Sequence, residues 1–334
     1  MVTIKNPRKI AFIGSHGIGD FVVSVPMLRK LKEVYSTAQI DYLTVKTPHK
    51  ALFLESPYID ALIEIDKRSF WNLFLDIVKM RKMKFDLVIA PFPSKAPSKV
   101  LTKLVRTKHL VESKCDISSN ENIVEKGFFT LSLLGIDIRD SDKRLEWPFN
   151  TKKHNERINY ILRQNRISNN DLLIVVHVGF KEGFPHRLWL PDRWAEVINY
   201  LTKKHENKVI FIGAGNDEQQ TKKVISLLNS KDNIVNLINK LNIKETAALI
   251  EKCNLFVSTN SGPMWIAAAL HKPQIALCGP SFLQWDPYNK NAIVVRKIID
   301  RKYCNPPCDA KKCRYGDNLC MEAIKVKDVT SAIE

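Results

Sequence analysis

The chain of 334 residues has no run that approaches the roughly 20 consecutive apolar residues needed by a membrane-spanning helix. Its first ten residues lack the apolar core of a secretory signal peptide, and short repeats and low-complexity tracts are absent. These absences argue against an integral membrane protein and against a secreted one. A hydrophobic content of 45% is enough to fill two cores, so we expect a globular, cytoplasmic protein.

Acidic residues are few beside basic ones, with 35 Asp and Glu against 52 Lys and Arg and a formal net charge of +17. This excess favours an anionic partner such as nucleic acid, a lipid surface or a phosphorylated substrate, although scattered lysines also fit a merely solvated surface. The sequence contains no recognition-helix pattern, aromatic stacking motif or zinc-finger histidines. We therefore do not expect nucleic acid as the partner.

Cysteine is also sparse, with seven residues in a chain without a secretion signal, which favours thiols or metal ligands over a disulfide framework. Four of them cluster near the C-terminus: Cys304, Cys308, Cys313 and Cys320. Four thiols so close could hold structural zinc or iron tetrahedrally, but the second pair is spaced more widely than usual. Reduced thiols without a metal are the alternative.

One segment, residues 98–108, concentrates basic charge without an intervening acid. Its cations Lys99, Lys103 and Arg106 recur at helical spacing, with leucine and valine on the other side. This pattern predicts a basic amphipathic helix. Its apolar side would pack on a core, and its basic side would meet either solvent or an anionic acceptor or membrane surface.

Strand and helix patterns alternate in two stretches of the chain, which is typical of parallel βαβ winding. Strand patterns fall at 9–13, 39–44, 85–90, 172–178, 208–212, 255–257 and 273–278, and helix patterns at 21–35, 191–201 and 241–252. A polar stretch at 137–170 predicts the connection between the halves. We thus predict doubly wound α/β domains at 1–150 and 151–322, with a C-terminal helix at 323–334.

A phosphate-binding turn is predicted where the strand at 255–257 ends. Residues 258–262 are short and carry hydroxyls and available backbone N–H groups, and Pro263 suits the first turn of the helix that follows. The next strand ends at Gly279, so a second loop lies at the same edge of the sheet. We expect ligand chemistry at this edge.

A second glycine-containing loop follows the first predicted strand of the chain. Gly17 and Gly19 permit a tight turn and close approach of a ligand, and Asp20 presents a carboxylate where the next helix begins. The spacing is G-x-x-G-x-G and departs from the dinucleotide fingerprint. From these residues alone, Asp20 is either a helix-capping residue or a catalytic one.

Two segments together resemble the ADP-heptose:lipopolysaccharide heptosyltransferase family, glycosyltransferase family 9. The segment GSHGIGDFVVSVPMLRKL resembles the opening of that family, and TNSGPMWIAAAL resembles its donor-site motif. Further matches, in the same order along the chain, are RLWLPDRW, VIFIGAGNDE and CGPSFLQWDPY. The resemblance implies a GT-B fold, in which two Rossmann-like domains face a cleft and bind acceptor and nucleotide-sugar respectively.

The resemblance also implies roles for individual residues. Asp20 matches the catalytic base, Arg187 a phosphate-binding lysine, and Glu218 an acid that holds the nucleotide ribose. The implied donor turn with its first helical residues comprises Asn260, Ser261, Gly262, Met264 and Trp265. Trp265 stands where the family usually has histidine, so it either stacks on the donor or is a core aromatic.

The implied activity is inverting transfer of a heptose from ADP-heptose to an anionic, lipid-linked saccharide of the lipopolysaccharide core at the inner membrane. The loops of the predicted phosphate site contain no Asp-x-Asp pair, so we expect catalysis without a metal. A relative that uses another nucleotide-sugar for a polysaccharide or protein, or a binding protein without activity, is the alternative.

Overall fold

The computed structural model describes residues 4, 6–66, 69–92, 101–115, 120–179, 187–205, 207–279, 283–297, 299 and 318–334. The chain divides into two compact units, an N-terminal unit, Met1–Phe149, and a C-terminal unit, Asn150–Glu334. Within the described part, no helix is both long and apolar enough to cross a membrane.

The N-terminal unit is built on a five-stranded sheet in which every pairing is parallel, in the order β3-β2-β1-β4-β5. The strands are β1 (Lys9–Ile13), β2 (Gln39–Val45), β3 (Ala61–Ile65), β4 (Lys84–Ala90) and β5 (Arg106–Glu112). Its helices include α1 (Ile18–Val34), α2 (Lys50–Leu54), α3 (Phe70–Lys82) and α4 (Ile123–Ser132). Strand order reverses between β1 and β4, so a crevice forms beyond their carboxyl ends.

The C-terminal unit contains a six-stranded parallel sheet in the order β11-β10-β9-β6-β7-β8. Its strands are β6 (Leu173–His177), β7 (Lys208–Phe211), β8 (Ile234–Asn236), β9 (Leu255–Thr259), β10 (Gln274–Leu277) and β11 (Ala292–Val295). Its helices are α5 (Asn155–Gln164), α6 (Pro191–His205), α7 (Asp217–Ser226), α8 (Ile243–Lys252), α9 (Gly262–Ala269), α10 (Leu319–Glu322) and α11 (Val326–Ile333). The switch point of this Rossmann order lies between β6 and β9.

Burial explains why these segments form strands and helices. All five residues of β6 are buried, as expected for a central parallel strand covered on both faces. In α6, Trp194, Val197, Ile198 and Leu201 are buried at helical spacing and belong to the core of the C-terminal unit. The polar face of α6 remains outside, which is the usual amphipathic arrangement.

The prediction of a basic helix over 98–108 is wrong beyond residue 104. Residues 101–104 are helical, but Arg106 begins β5, which pairs in parallel with β4 along the edge of the sheet. Leu101 and Val105 are buried as expected. Pairing with β4 satisfies backbone groups that the helix would have satisfied internally, and charged side chains are tolerated on an edge strand.

The polar connection is also more structured than predicted. Residues 155–164 form α5, in which Ile158 is the buried residue and the others are half-buried or exposed. The sequence of this helix is therefore mostly polar and resembles that of a connecting segment. The strands β3, β5, β8 and β11 were not predicted. Each is short or lies at or near a sheet edge, where alternation and hydrophobicity are weak.

Candidate functional site

The loop after β1 in the N-terminal unit is held against β2 and the residues after it, and one of its contacts requires glycine at position 14. A Cβ on Gly14 would lie 1.9 Å from the Tyr42 Oη, and that phenol donates to the Ser15 carbonyl at 3.0 Å. Burial raises the pKa of Tyr42 far above its usual value, so the phenol stays neutral. Thr47 donates its hydroxyl to the His16 carbonyl at 2.8 Å. The loop is therefore fixed before any ligand binds.

Asp20 lies in the first turn of α1, three residues after the N-cap, Gly17. Its Oδ2 would be 2.8 Å from a Cβ at Gly17, so the carboxylate folds back over the cap, and the side chain is half-buried. The positive end of the helix dipole favours the ionised form of a carboxylate here. An ionised, partly accessible carboxylate at the carboxyl edge of a parallel sheet can accept a proton from a bound hydroxyl. Gly19 is the second residue of the same helix.

The predicted acceptor or membrane cations do not share one helix. Lys103 is exposed in the helical turn at 101–104, and Arg106 is exposed at the start of β5. Lys99 lies outside the described residues.

A buried polar network spans the switch point of the C-terminal unit. His177, the last residue of β6, lies with its Nε2 3.1 Å from the Asp217 Oδ2 and its Nδ1 3.1 Å from the Ser261 Oγ. These side chains come from the end of β6, the start of α7 and the turn after β9. All three residues are buried, with 4–9% of each residue's surface exposed, and the Asp217 Oδ2 also accepts the Ala214 N–H at 3.0 Å. Because a carboxylate only accepts, Nε2 carries the proton of the contact with Asp217, and Nδ1 lies where the Ser261 hydroxyl can donate to it.

The network leaves the start of α9 without a side-chain cap. Ser261 is the N-cap residue, yet its hydroxyl makes no cap hydrogen bond, since it lies against His177. Gly262 opens the helix and Pro263 follows at a position that needs no N–H donor. An uncapped helix N-terminus at a switch point presents backbone N–H groups and a positive dipole end to an anion.

Asn260 connects this turn to the loop after β10. Its Nδ2 donates to the Trp285 carbonyl at 3.0 Å, and the Trp285 ring packs edge-on against Trp265 with centroids 6.3 Å apart. Trp265 is buried with 3% exposed, and Met264 is fully buried. The structure thus places Trp265 as a core aromatic under the turn.

The loop after β7 lies at the same sheet edge as the end of β6, with which β7 pairs. Gly215 has a φ of +55°, and its N–H donates to the Asn239 Oδ1 at 2.8 Å. The Asn239 amide in turn donates to the Glu218 Oε2 at 3.0 Å. The hydrogen bond from Lys222 lowers the pKa of Glu218, which keeps this half-exposed carboxylate ionised. A carboxylate of this kind can accept hydrogen bonds from a ribose.

Arg187 is buried with 9% exposed and lies two residues before Trp189. The Trp189 Nε1 donates to the Ile324 carbonyl at 3.1 Å, and its own carbonyl accepts from Gln220 at 3.0 Å. These bonds tie the segment that carries Arg187 to the core of the C-terminal unit.

The structure reveals two site residues that the sequence analysis missed, His177 and Asp217. Each had a recognisable signal. His177 is a polar residue ending an apolar strand run, and Asp217 stands beside Glu218 in a glycine-containing loop after a strand.

The predicted cysteine site falls mostly outside the described residues. Cys304, Cys308 and Cys313 are not described, and Cys320 is buried in α10. Among the described residues there is no group of three or more His, Cys, Asp or Glu side chains that could hold a metal ion.

Two Rossmann-type units, each with a loop and a helix N-terminus at its switch point, are the architecture of the GT-B fold class. The chain matches the model of glycosyltransferase family 9 (heptosyltransferase) over residues 107–316, more than half of its length. The chain belongs to this family and is an enzyme of the heptosyltransferase type.

Individual relatives agree with this assignment. The chain is 28% identical over 321 residues to lipooligosaccharide heptosyltransferase 2 of Campylobacter jejuni, and the match covers 95% of each chain. Its fold is similar to that of the family 9 glycosyl transferase from Veillonella parvula, with a TM-score of 0.78, 21% identity and coverage of 100% and 98%. It is also similar to ADP-heptose lps heptosyltransferase II of E. coli, with a TM-score of 0.69, 22% identity and 97% of each chain covered.

Proposed function

We propose that this protein transfers a heptose, with inversion and without a metal ion, from ADP-heptose to a saccharide of the lipopolysaccharide core. The observation that carries the proposal is the uncapped N-terminus of α9 at the switch point, where Ser261 is held by the buried His177. A diphosphate matches this site in charge and in its demand for several N–H donors. The names of the curated relatives support heptose as the sugar and lipopolysaccharide as the acceptor.

The donor would bind entirely in the C-terminal unit. Its diphosphate would meet the backbone of Asn260, Ser261 and Gly262, with Arg187 as a further positive charge. Its ribose would bond to Glu218, which Asn239 and Lys222 already orient. When the sugar–phosphate bond breaks, negative charge grows on the leaving diphosphate, and preorganised donors of this kind stabilise it.

The acceptor hydroxyl would be activated by Asp20 of the N-terminal unit. The carboxylate removes the hydroxyl proton while the oxygen attacks the anomeric carbon from the side opposite the diphosphate, so a single displacement inverts the configuration. General-base catalysis of this type contributes about 10²–10⁴-fold in rate.

The proposed acceptor is anionic and lipid-linked, so the enzyme would act at the cytoplasmic surface of the inner membrane. The net charge of +17 supports an anionic acceptor and a negatively charged bilayer as partners.

The match of Cys304, Cys308, Cys313 and Cys320 to a structural zinc or iron site remains a prediction from spacing. Metal analysis of the purified protein tests it, with fewer than one equivalent after dialysis as the negative result.

Binding of nucleotides tests the donor assignment. Thermal-shift and calorimetric titrations with ADP, GDP, UDP and ADP-heptose in EDTA should show a preference for ADP and ADP-heptose. A ligand at 100 times its Kd stabilises the folded state by about 2.7 kcal/mol. A preference for GDP or UDP would instead assign the chain to relatives that use another nucleotide-sugar, an alternative suggested by Trp265 in place of the usual histidine. Binding that requires magnesium would contradict the metal-free mechanism.

A further inference from the structure

The helix α3 of the N-terminal unit exposes an unusual apolar face. Trp71, Phe74 and Leu75 are 71%, 50% and 62% exposed, and they share one side of the helix with the half-buried Val78. Their i, i+3, i+4, i+7 spacing forms a continuous stripe. We call these four residues the α3 stripe.

The stripe is not the side that holds the helix to its sheet. Met80 is buried in the core of the N-terminal unit, and Leu73 packs against the same core. An ordinary surface helix carries polar residues opposite such a core-facing side, whereas α3 is apolar on both sides over its first two turns. Folding of the unit therefore does not account for the α3 stripe.

Positive charge adjoins the stripe. The last turn of α3 contains Lys79, Arg81 and Lys82, of which all three are exposed. The sole acid of the helix, Asp76, is half-buried and accepts the Asp66 N–H at 2.9 Å, so it is directed toward the end of β3. The outer side of α3 thus combines aromatic and aliphatic groups with three cations.

We infer that α3 lies in the interface of an anionic bilayer, with the α3 stripe among the upper acyl chains and Lys79, Arg81 and Lys82 at the headgroups. Amphipathic helices of this composition bind in the plane of a membrane through buried apolar area and attraction to anionic lipid. Tryptophan suits the boundary between headgroup and acyl chain. The inference rests on the proposed function, because a lipid-linked acceptor brings the enzyme to the bilayer.

The charge distribution favours a bilayer over a second copy of the chain. A symmetric dimer through this face would present the same three cations twice, and α3 offers no outward acid to pair with them. An anionic lipid surface supplies the complementary charge for all three at once.

Flotation with vesicles tests the inference on the full chain. Wild-type protein should bind vesicles of phosphatidylethanolamine with phosphatidylglycerol and bind phosphatidylcholine vesicles much more weakly. The triple variant Trp71→Ser/Phe74→Ser/Leu75→Ser should partition at least about tenfold less strongly, since it removes the apolar area that enters the bilayer. A matched control, Phe129→Ser/Leu172→Ser/Leu227→Ser, removes three apolar side chains that are 50%, 48% and 50% exposed elsewhere and should bind like wild type.

A second variant tests the charged part. Lys79→Gln/Arg81→Gln/Lys82→Gln should weaken binding to the anionic vesicles by about 10²-fold at low salt and reduce its salt dependence. The control Lys231→Gln/Lys240→Gln/Lys290→Gln removes three exposed lysines of the C-terminal unit and should have a much smaller effect.

Brominated lipid reports insertion directly. It should quench wild-type tryptophan fluorescence more than that of Trp71→Phe. The inference would be overturned if the variant Trp71→Ser/Phe74→Ser/Leu75→Ser (the stripe variant) and its control bound vesicles equally, or if wild type and Trp71→Phe were quenched equally. It would also be overturned if wild type and the control formed a dimer that the stripe variant did not form.

Transfer to a deacylated, water-soluble acceptor separates this inference from the proposed function. The stripe variant should retain wild-type activity on that acceptor. Wild-type protein that transfers the sugar but does not bind vesicles would overturn the membrane inference alone. Wild-type protein that binds vesicles through α3 but transfers no sugar would overturn the proposed function and leave the inference supported.

Discussion

Replacing His177 by alanine should weaken both the fold and the binding of ADP. The substitution removes the two 3.1 Å contacts to Asp217 and Ser261, so the buried Asp217 carboxylate loses one hydrogen bond while it retains the Ala214 N–H. Loss of a hydrogen bond at a buried polar group costs about 1–3 kcal/mol. We therefore expect a loss of about 1–3 kcal/mol in the free energy of unfolding. Urea denaturation of the apo protein measures it.

The effect on ADP has a separate cause. Once His177 is gone, the Ser261 hydroxyl can rotate to cap α9, and a serine cap stabilises a helix by about 1 kcal/mol. A diphosphate must then displace that cap, which corresponds to roughly fivefold weaker binding of ADP. Calorimetry at a temperature where both proteins are folded gives the two dissociation constants.

A double-mutant cycle with Ser261→Ala distinguishes this mechanism from general damage to the site. Without the hydroxyl, no cap can form, so His177→Ala should change ADP affinity much less in the Ser261→Ala background. His109→Ala, which alters an exposed histidine of β5, should leave stability within about 0.5 kcal/mol of wild type. Unchanged stability of His177→Ala, or the same loss of ADP affinity in both backgrounds, would refute the reasoning.

Three further substitutions test other parts of the account. Asp20→Asn should lower kcat by about 10²–10⁴-fold while the ADP-induced thermal shift is retained, and a near-wild-type kcat would exclude Asp20 as the base. Gly14→Ala should destabilise the protein by about 1–3 kcal/mol, because its Cβ would meet the Tyr42 hydroxyl at 1.9 Å. In a Tyr42→Phe background the loss in a thermal melt should stay nearly the same, because the ring carbon Cζ would still lie 2.0 Å from the new Cβ. Burial raises the pKa of Asp142, but the Arg139 N–H and a lysine ammonium outweigh it and lower the pKa overall. Its stabilising contribution is therefore present above the ordinary aspartate pKa of about 3.9 and is lost as pH falls through the lowered value. The deficit of Asp142→Asn in melting temperature should be largest near neutral pH and shrink in acid; a deficit independent of pH would contradict this assignment.

Both predicted ligand edges are marked locally in the sequence. A strand pattern followed by short or glycine residues and then a helix describes the segments around Asp20 and Ser261, and both lie in the first turn or at the cap of the helix predicted to follow. The family resemblance rests on these same local motifs, and the family match confirms it.

The polar network at the donor turn could not be predicted in the same way. His177 is 40 residues from Asp217 and 84 from Ser261 along the chain. Only the strand order, with β6 beside both β7 and β9, brings the three together. The sequence pattern determines neither the order of the strands in the sheet nor the rotamer that turns the Ser261 hydroxyl away from α9.

The prediction of a helix over residues 98–108 was wrong for a different reason. Cations at helical spacing over three turns are also compatible with a short helical turn followed by an edge strand. The outcome was decided by the available edge of β4, a tertiary feature.

The central claim is tested most directly by transfer from ADP-heptose to a heptose-free lipopolysaccharide core acceptor in EDTA, with the product linkage read by NMR. The account predicts one heptose added per acceptor, anomeric configuration opposite to that of the donor, and transfer by Asp20→Asn that is about 10²–10⁴-fold slower. Retention of the donor configuration, dependence on added metal, or no transfer by wild-type protein from ADP-heptose would contradict it.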